Sequence, residues 1–197
     1  DILLRALPGG TPVIFVYAYP ETTPCSCVSS DFIPAFRELA ELLRGRRTIA
    51  VFNQFEKNAT HGINLQKLRL CREIMRETGL RVRDVYRKTC EDPMTAGYRM
   101  LLSLRDTPPD AVLLGTDDMA VGVYRAAHEL GLRIPDDLAV CGCNNLPVAD
   151  FLLPSLTSIA LDAEAQGETA LRMLVEHPEA PAVRTLFPAR LVRRESL

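Results

Sequence analysis

Apolar positions along the chain follow two different spacings, and the alternation between them predicts the elements. Short runs with no polar interruption read as buried strands: Pro12-Val13-Ile14-Phe15-Val16-Tyr17, Thr48-Ile49-Ala50-Val51-Phe52, Ala111-Val112-Leu113-Leu114 and Leu138-Ala139-Val140-Cys141. Ser158-Ile159-Ala160 adds another, and residues 82–86 a weak one. Between the runs, apolar residues fall three and four apart, the helical period. Phe32, Phe36, Leu39, Ala40 and Leu43 stripe a helix, with Asp31 placed to cap it and Gly45 to end it. Leu65, Leu68, Cys71, Ile74, Met75 and Thr78 line a second, closed by Gly79, and Gly97, Met100, Leu101 and Leu104 mark a third before Pro108-Pro109. Met119, Ala120, Val123, Ala127 and Leu130 form a fourth, led by Thr116-Asp117-Asp118 and stopped by Gly131 and Pro135. Ala163, Gly167, Ala170, Leu171 and Leu174 give the last, begun at Asp162 and broken by Pro178 and Pro181. Residues 1–11 read as a helix end and turn, residues up to Pro24 as a Pro- and Thr-rich loop leading to Cys27-Val28, and residues 53–62 as a polar crossing loop.

Strand, short loop, helix, short loop, strand over residues 111–142 is a βαβ unit, which demands a parallel sheet with a right-handed crossover. At 197 residues the chain has enough length for one large domain or two small ones, and a composition of 47% hydrophobic and 24% charged residues is ordinary for a globular protein. A net charge of −2 with interspersed signs argues against this segment binding nucleic acid by itself. The clusters Arg44, Arg46, Arg47 and Arg190, Arg193, Arg194 read as solvated faces. Six cysteines, at 25, 27, 71, 90, 141 and 143, lack zinc-knuckle spacing and read as reduced, half-buried thiols. His61, His128 and His177 are scattered, and Asn58-Ala59-Thr60 reads as a chance match to a glycosylation acceptor. No signal peptide and no run long enough to span a bilayer is present, so no membrane partner is expected.

The block from Gly115 to Ile159 carries a resemblance. Thr116-Asp117-Asp118-Met119-Ala120-Val121-Gly122, Gly131-Leu132-Arg133-Ile134-Pro135, Gly142-Cys143-Asn144 and Pro154-Ser155-Leu156-Thr157 stand in the order and spacing of the effector-binding region of the LacI/GalR family of bacterial transcription regulators. Val28-Ser29-Ser30-Asp31, the Gly45-Arg46-Arg47 turn and the terminal Arg194-Glu195-Ser196 are similar to further family patterns. The resemblance implies an α/β, periplasmic-binding-protein-like fold: two doubly wound parallel-sheet subdomains joined by crossing strands, with the N-terminal subdomain incomplete. Residues 1–54 with 150–187 would form the N-terminal-type lobe, and residues 55–149 with 188–197 the C-terminal-type lobe. The family's helix-turn-helix, hinge and first two βα units have no counterpart before Asp1, so the expectation is an N-terminally truncated domain. Missing first strands would expose apolar surface and an unpaired edge.

The resemblance also implies site residues, because open α/β sheets bind ligands beyond the carboxyl ends of their strands. Where the family carries an arginine, twelve residues before the helix-closing glycine, this chain has Lys67, a cation that cannot fork its hydrogen bonds. The family's Asn of Asn-Asp becomes Thr116, and its Asp after Gly-x becomes Asn144. Phe32 stands where a polar contact is usual, and Asp92 where an aromatic shelf is usual. Lys67 fits a ligand contact or a solvated helix face equally well. Thr116 and Asn144 can touch ligand while capping a helix and turning the chain, whereas Phe32 and Asp92 fit purely structural roles better.

No Gly-x-Gly-x-x-Gly or Walker pattern supports a nucleotide-binding enzyme, and Asp117-Asp118 lack a third acidic ligand for magnesium. No Ser-His-Asp or Cys-His constellation can be assembled. The expectation is therefore a non-enzymatic sensing and dimerisation domain without a cofactor. It would bind a small polar effector, sugar-like or nucleoside-like, as a cytoplasmic homodimer that reaches operator DNA through an N-terminal helix-turn-helix. A periplasmic sugar-binding protein of the same fold and a degenerate dimerisation module without ligand remain as alternatives.

Overall fold

The computed structural model describes residues 7–17, 25–53, 63–86, 92–176 and 182–197. The helix end expected over residues 1–6, the loop over 18–24, His61, His177, Cys90, Pro178, Pro181 and the Asn58-Ala59-Thr60 tripeptide lie outside the described residues. In chain order the elements are β1 (Ile14–Val16), β2 (Ser26–Asp31), α1 (Ile33–Leu42), β3 (Thr48–Asn53), α2 (Ile63–Glu77), β4 (Arg81–Tyr86), α3 (Pro93–Leu102) and β5 (Ala111–Leu114). There follow α4 (Asp118–Glu129), β6 (Ala139–Cys143), α5 (Val148–Phe151), β7 (Thr157–Ala160), α6 (Ala163–Glu176), β8 (Arg184–Pro188) and β9 (Arg190–Val192).

Two sheets result. A six-stranded sheet has the order β4-β3-β5-β6-β7-β9, and a three-stranded sheet the order β1-β2-β8. All pairings are parallel except β7 with β9. Strand side chains alternate in direction, so each central strand of the larger sheet feeds two cores. Ile49, Val51, Leu113 and Cys141 pack under α1 and α2, against Phe36, Leu39, Leu68 and Met75. Ala50, Phe52, Leu114 and Val140 pack under α3 and α4, against Met100, Leu101, Met119 and Val123. This is the α/β/α sandwich expected of a doubly wound sheet, and continuous apolar runs are what its doubly buried strands require.

The structure departs from the expected lobe boundaries at two strands. Thr48–Asn53 and Thr157–Ala160 belong to the six-stranded sheet, although residues 1–54 and 150–187 were expected in the other lobe. The reason is the stripe on α1: Phe36, Leu39, Ala40 and Leu43 find their apolar partners on β3 and β5. The chain thus changes sheet between β2 and α1, between β7 and α6, and between β8 and β9. It does not change sheet across the expected crossing loop, because β3 and β4 are neighbours; residues 54–62 themselves lie outside the described residues.

Two local readings also change. Ser26–Asp31 is a strand, not the approach to a helix, and it is buried although four of its six residues are serine or aspartate. As the middle strand of its sheet it is covered on both faces, and the Ser30 hydroxyl accepts from Gln166 Nε2 of α6 at 2.9 Å. Conversely β1, expected to be buried, is only half-buried, since it pairs with β2 alone among the described residues.

The terminal Arg-Glu-Ser sequence is a clamp. Ser196 Oγ donates to Val140 O at 2.6 Å and accepts from Thr157 N at 2.8 Å, stitching β6 to the start of β7. Glu195 accepts from Ser155 N and Oγ, and Arg194 donates to Leu156 O and to Asp150. Among the described residues no helix is long and apolar enough to cross a membrane.

Candidate functional site

A cavity of about 160 Å³ opens at the carboxyl ends of β3 and β5, where an open parallel sheet leaves room for a ligand. That is small beside the roughly 300–1,000 Å³ of sites for drug-sized ligands. Val51, Phe52, Leu113 and Leu114 supply an apolar floor, with Phe36 and Met119 beside it. Asn53, Lys67 and Thr116 supply the polar groups.

Four of the five residues anticipated from the sequence form one chain of contacts. Lys67, on the second turn of α2, lays its ammonium 5.0 Å from the centroid of the Phe32 ring, a cation–π distance. The same Nζ donates to Cys143 Sγ at 2.8 Å. Cys143 Sγ lies 3.6 Å from Asn144 Oδ1 as donor, and Asn144 Nδ2 donates to Thr116 Oγ1 at 3.5 Å. Phe32 is buried and stacks on Phe36, centroids 5.7 Å apart, so it acts on the cavity through Lys67 and Phe36. Asp92 is elsewhere in role: exposed, it accepts from Thr95 N at 2.9 Å as the cap of α3 and is absent from the cavity wall.

The expected capping of α4 by Thr116-Asp117-Asp118 is replaced by a different use of Asp117. No side chain caps this helix; buried Asp117 turns away and accepts from Leu146 N and from Ser158 Oγ, each at 2.6 Å. Burial pushes its carboxyl above the ordinary aspartate value, and the Ser158 hydroxyl and Leu146 amide pull it partly back. Asp117 thereby moors the loop in which Asn144 and Asn145 take φ of 94° and 51°, left-handed values that asparagine tolerates better than most side chains. Gly142 lets the mooring approach: a Cβ there would stand 1.9 Å from Asp117 Oδ1.

Two cavity groups, Asn53 and Cys71, and the partner of Lys67, Cys143, escaped the sequence reading. Asn53 was placed in a loop, yet it is buried as the last residue of β3. Its position at the carboxyl end of a central parallel strand was the available signal. Cys71 lines the cavity and Cys143 meets Lys67; only pairing of distant elements reveals either. Both are free thiols, and burial pushes Cys71 up to about 12, so it is neutral at physiological pH. Among the described residues no group of three or more His, Cys, Asp or Glu could hold a metal ion.

Comparison with known proteins agrees with this architecture. Residues 38–197 match the family described as periplasmic binding protein-like domain. The lactose operon repressor of Rhizobium radiobacter is 45% identical over 82 residues, 41% of this chain and 73% of that protein. The chain belongs to the LacI family of periplasmic binding protein-like domains. Another LacI-family relative, the ribose operon repressor of Escherichia coli (strain K12), is 34% identical over 114 residues, 57% of this chain. That alignment spans only 34% of the repressor's length. Among solved structures, the complex of the transcriptional regulator CelR with cellobiose superposes with a TM-score of 0.78 at 25% identity, covering 93% of this chain and 58% of that one. The named relatives are regulators, not enzymes. In this LacI-family domain Lys67 and Thr116 line the cavity, and Asn144 reaches it only through its contacts with Thr116 and Cys143.

Proposed function

We propose that the cavity is the effector pocket of a LacI-type transcription regulator and takes a small polyhydroxylated or anionic molecule, of sugar or nucleoside class. One observation carries this reading: the partly buried Lys67 ammonium meets a thiol and an aromatic ring, and among the described residues no carboxylate pairs with it. A desolvated cation without an anionic or strong oxygen acceptor is costly. A ligand hydroxyl or acidic oxygen at Nζ relieves that cost. Asn53, Thr116 and Asn144 offer further donors and acceptors at neighbouring strand ends, and the apolar floor suits the carbon face of a ring. The ribose and cellobiose in the names of relatives support a sugar. The small volume favours a monosaccharide over a longer chain.

The pocket touches elements next to the first change of sheet, since Phe36 of α1 lines it. A ligand that prefers one arrangement of the two sheets shifts the population toward it, and only that differential affinity alters operator binding. In the whole protein this would act through a cytoplasmic two-fold dimer carrying a helix-turn-helix, whose symmetry matches palindromic half-sites.

Titration calorimetry of the folded chain against pentoses, hexoses and purine nucleosides tests the proposal. At least one should bind, and Lys67→Ala should weaken it about tenfold or more, the worth of one charge-assisted hydrogen bond. The unfolding midpoint should stay unchanged. An absence of heat with every compound points instead to a dimerisation module, and unchanged affinity in Lys67→Ala removes that residue from the site.

A further inference from the structure

Three arginines from two distant stretches of the chain meet at the other end of the six-stranded sheet. Arg81 and Arg83 are two apart on edge strand β4 and so leave the same face. The register pairs Thr48 with Arg81, and Arg81 N donates to Arg47 O at 2.9 Å, which sets Arg47 beside them. With Thr48, Thr107 and Asp110 they wall a cleft of about 480 Å³. Arg83 is oriented there by two bonds from Nη1, to Thr107 O at 2.8 Å and to Thr107 Oγ1 at 3.2 Å. Its remaining N–H groups are unused among the described residues.

The single carboxylate in this wall is already engaged. Asp110 Oδ2 accepts from Arg47 N at 2.7 Å, from Thr48 N at 2.8 Å and from the Thr48 hydroxyl at 3.2 Å. Among the described residues none of the three guanidinium groups has an ion pair, although seven other arginines do. Three positive charges against one negative leave the cleft cationic. Solvated arginines on a convex face repel and disperse; here a concave wall, a held guanidinium and the Thr107 hydroxyl converge.

We propose that this cleft is a second ligand site, for a phosphate group carried by a small metabolite or present as inorganic phosphate. Planar guanidinium forks match phosphate oxygens two at a time, and the Thr107 hydroxyl, which accepts from Arg83, keeps its proton as a neutral donor. Strand β3 runs from Thr48 in this cleft to Asn53 in the effector cavity. Five residue steps place the two sites roughly 17 Å apart on one rigid strand. The second site therefore leaves the effector cavity open and can be occupied together with it.

Titration calorimetry of the full chain at constant ionic strength decides the matter, with inorganic phosphate, ribose 5-phosphate and sodium chloride as probes. Saturable binding of a phosphate compound and none of chloride is expected. Equal affinity for the two phosphate compounds identifies phosphate itself as the ligand, and tighter ribose 5-phosphate binding identifies a metabolite. The double variant Arg81→Gln, Arg83→Gln should lose about tenfold or more in affinity, whereas Lys67→Ala should stay within about twofold. Arg81→Gln alone, at an exposed side chain, serves if the double variant is unfolded. The proposal is overturned if neither phosphate compound saturates, if the arginine variants bind like the parent, or if Lys67→Ala abolishes binding, which places the phosphate in the effector cavity.

Discussion

Gly122→Ala should destabilise the protein, while Gly167→Ala, the same substitution on another helix, should stabilise it. Gly122 lies in α4, where α3 crosses so closely that a Cβ would stand 1.8 Å from Met94 O and 2.6 Å from Tyr98 N. Gly97 makes the matching approach from α3, its Cβ position lying 2.2 Å from Met119 O. These neighbours are backbone atoms and cannot rotate away, so the helices must part by roughly 1.5 Å to restore contact distance. Overpacking a filled core costs about 1–3 kcal/mol, and the rigidity of both partners puts this case at the upper end. Alanine's better helix propensity returns about 1 kcal/mol, leaving a net loss of about 2 kcal/mol. For a chain of this size that is a fall in Tm of about 4–8 °C. Gly167 sits exposed in α6 with nothing within 4 Å of its Cβ position, so only the propensity gain of about 0.5–1 kcal/mol operates. Urea unfolding followed by circular dichroism on both variants measures the two signs directly. Because α4 begins two residues after Thr116, Gly122→Ala should also weaken effector binding, and Gly167→Ala should not. If Gly122→Ala matches or exceeds the parent in stability, the helices are not in backbone contact and the reasoning fails.

Two further outcomes follow from buried or bridging side chains. Ser196→Ala removes the hydroxyl that satisfies Thr157 N and Val140 O in a buried setting, and should cost about 2–3 kcal/mol; hydrogen exchange at the Thr157 amide should accelerate, and a loss below about 0.5 kcal/mol would contradict the clamp. Burial pushes the Asp110 carboxyl up, but the Arg47 and Thr48 amides and the Thr48 hydroxyl outweigh it, so its pKa in the folded chain lies below the ordinary value. Its stabilisation is therefore complete above the unfolded pKa of about 3.9 and disappears as pH falls through the lower folded value. The stability difference between parent and Asp110→Asn should be constant from about pH 5 to 7 and shrink below about pH 4; a difference that persists unchanged to about pH 2 would assign the effect to something other than charge.

The elements that the residue pattern announced are those whose environment is uniform. Ala111–Leu114 and Ala139–Cys143 are buried on both faces, so their apolar runs are unbroken, and α1 and α4 each carry a stripe matched to one core. β2 went unseen for the opposite reason: Ser29 and Ser30 are polar residues in a buried strand, and Gln166, which meets Ser30, is distant in sequence. The site divides in the same way. Lys67, Thr116 and Asn144 were put forward by position against a family pattern. Cys143 as the partner of Lys67 could not be, since 76 residues separate them.

From the order of residues alone came the α/β class, the parallel βαβ core and the family, because periodicity and short motifs are local properties. Tertiary structure alone decided which sheet β3 and β7 join, that Asp117 moors a loop instead of capping its helix, and that Arg47, Arg81 and Arg83 share a cleft. Each of those outcomes depends on partners brought together by closing long stretches of chain, and the free energy that selects them resides in contacts that no local window contains.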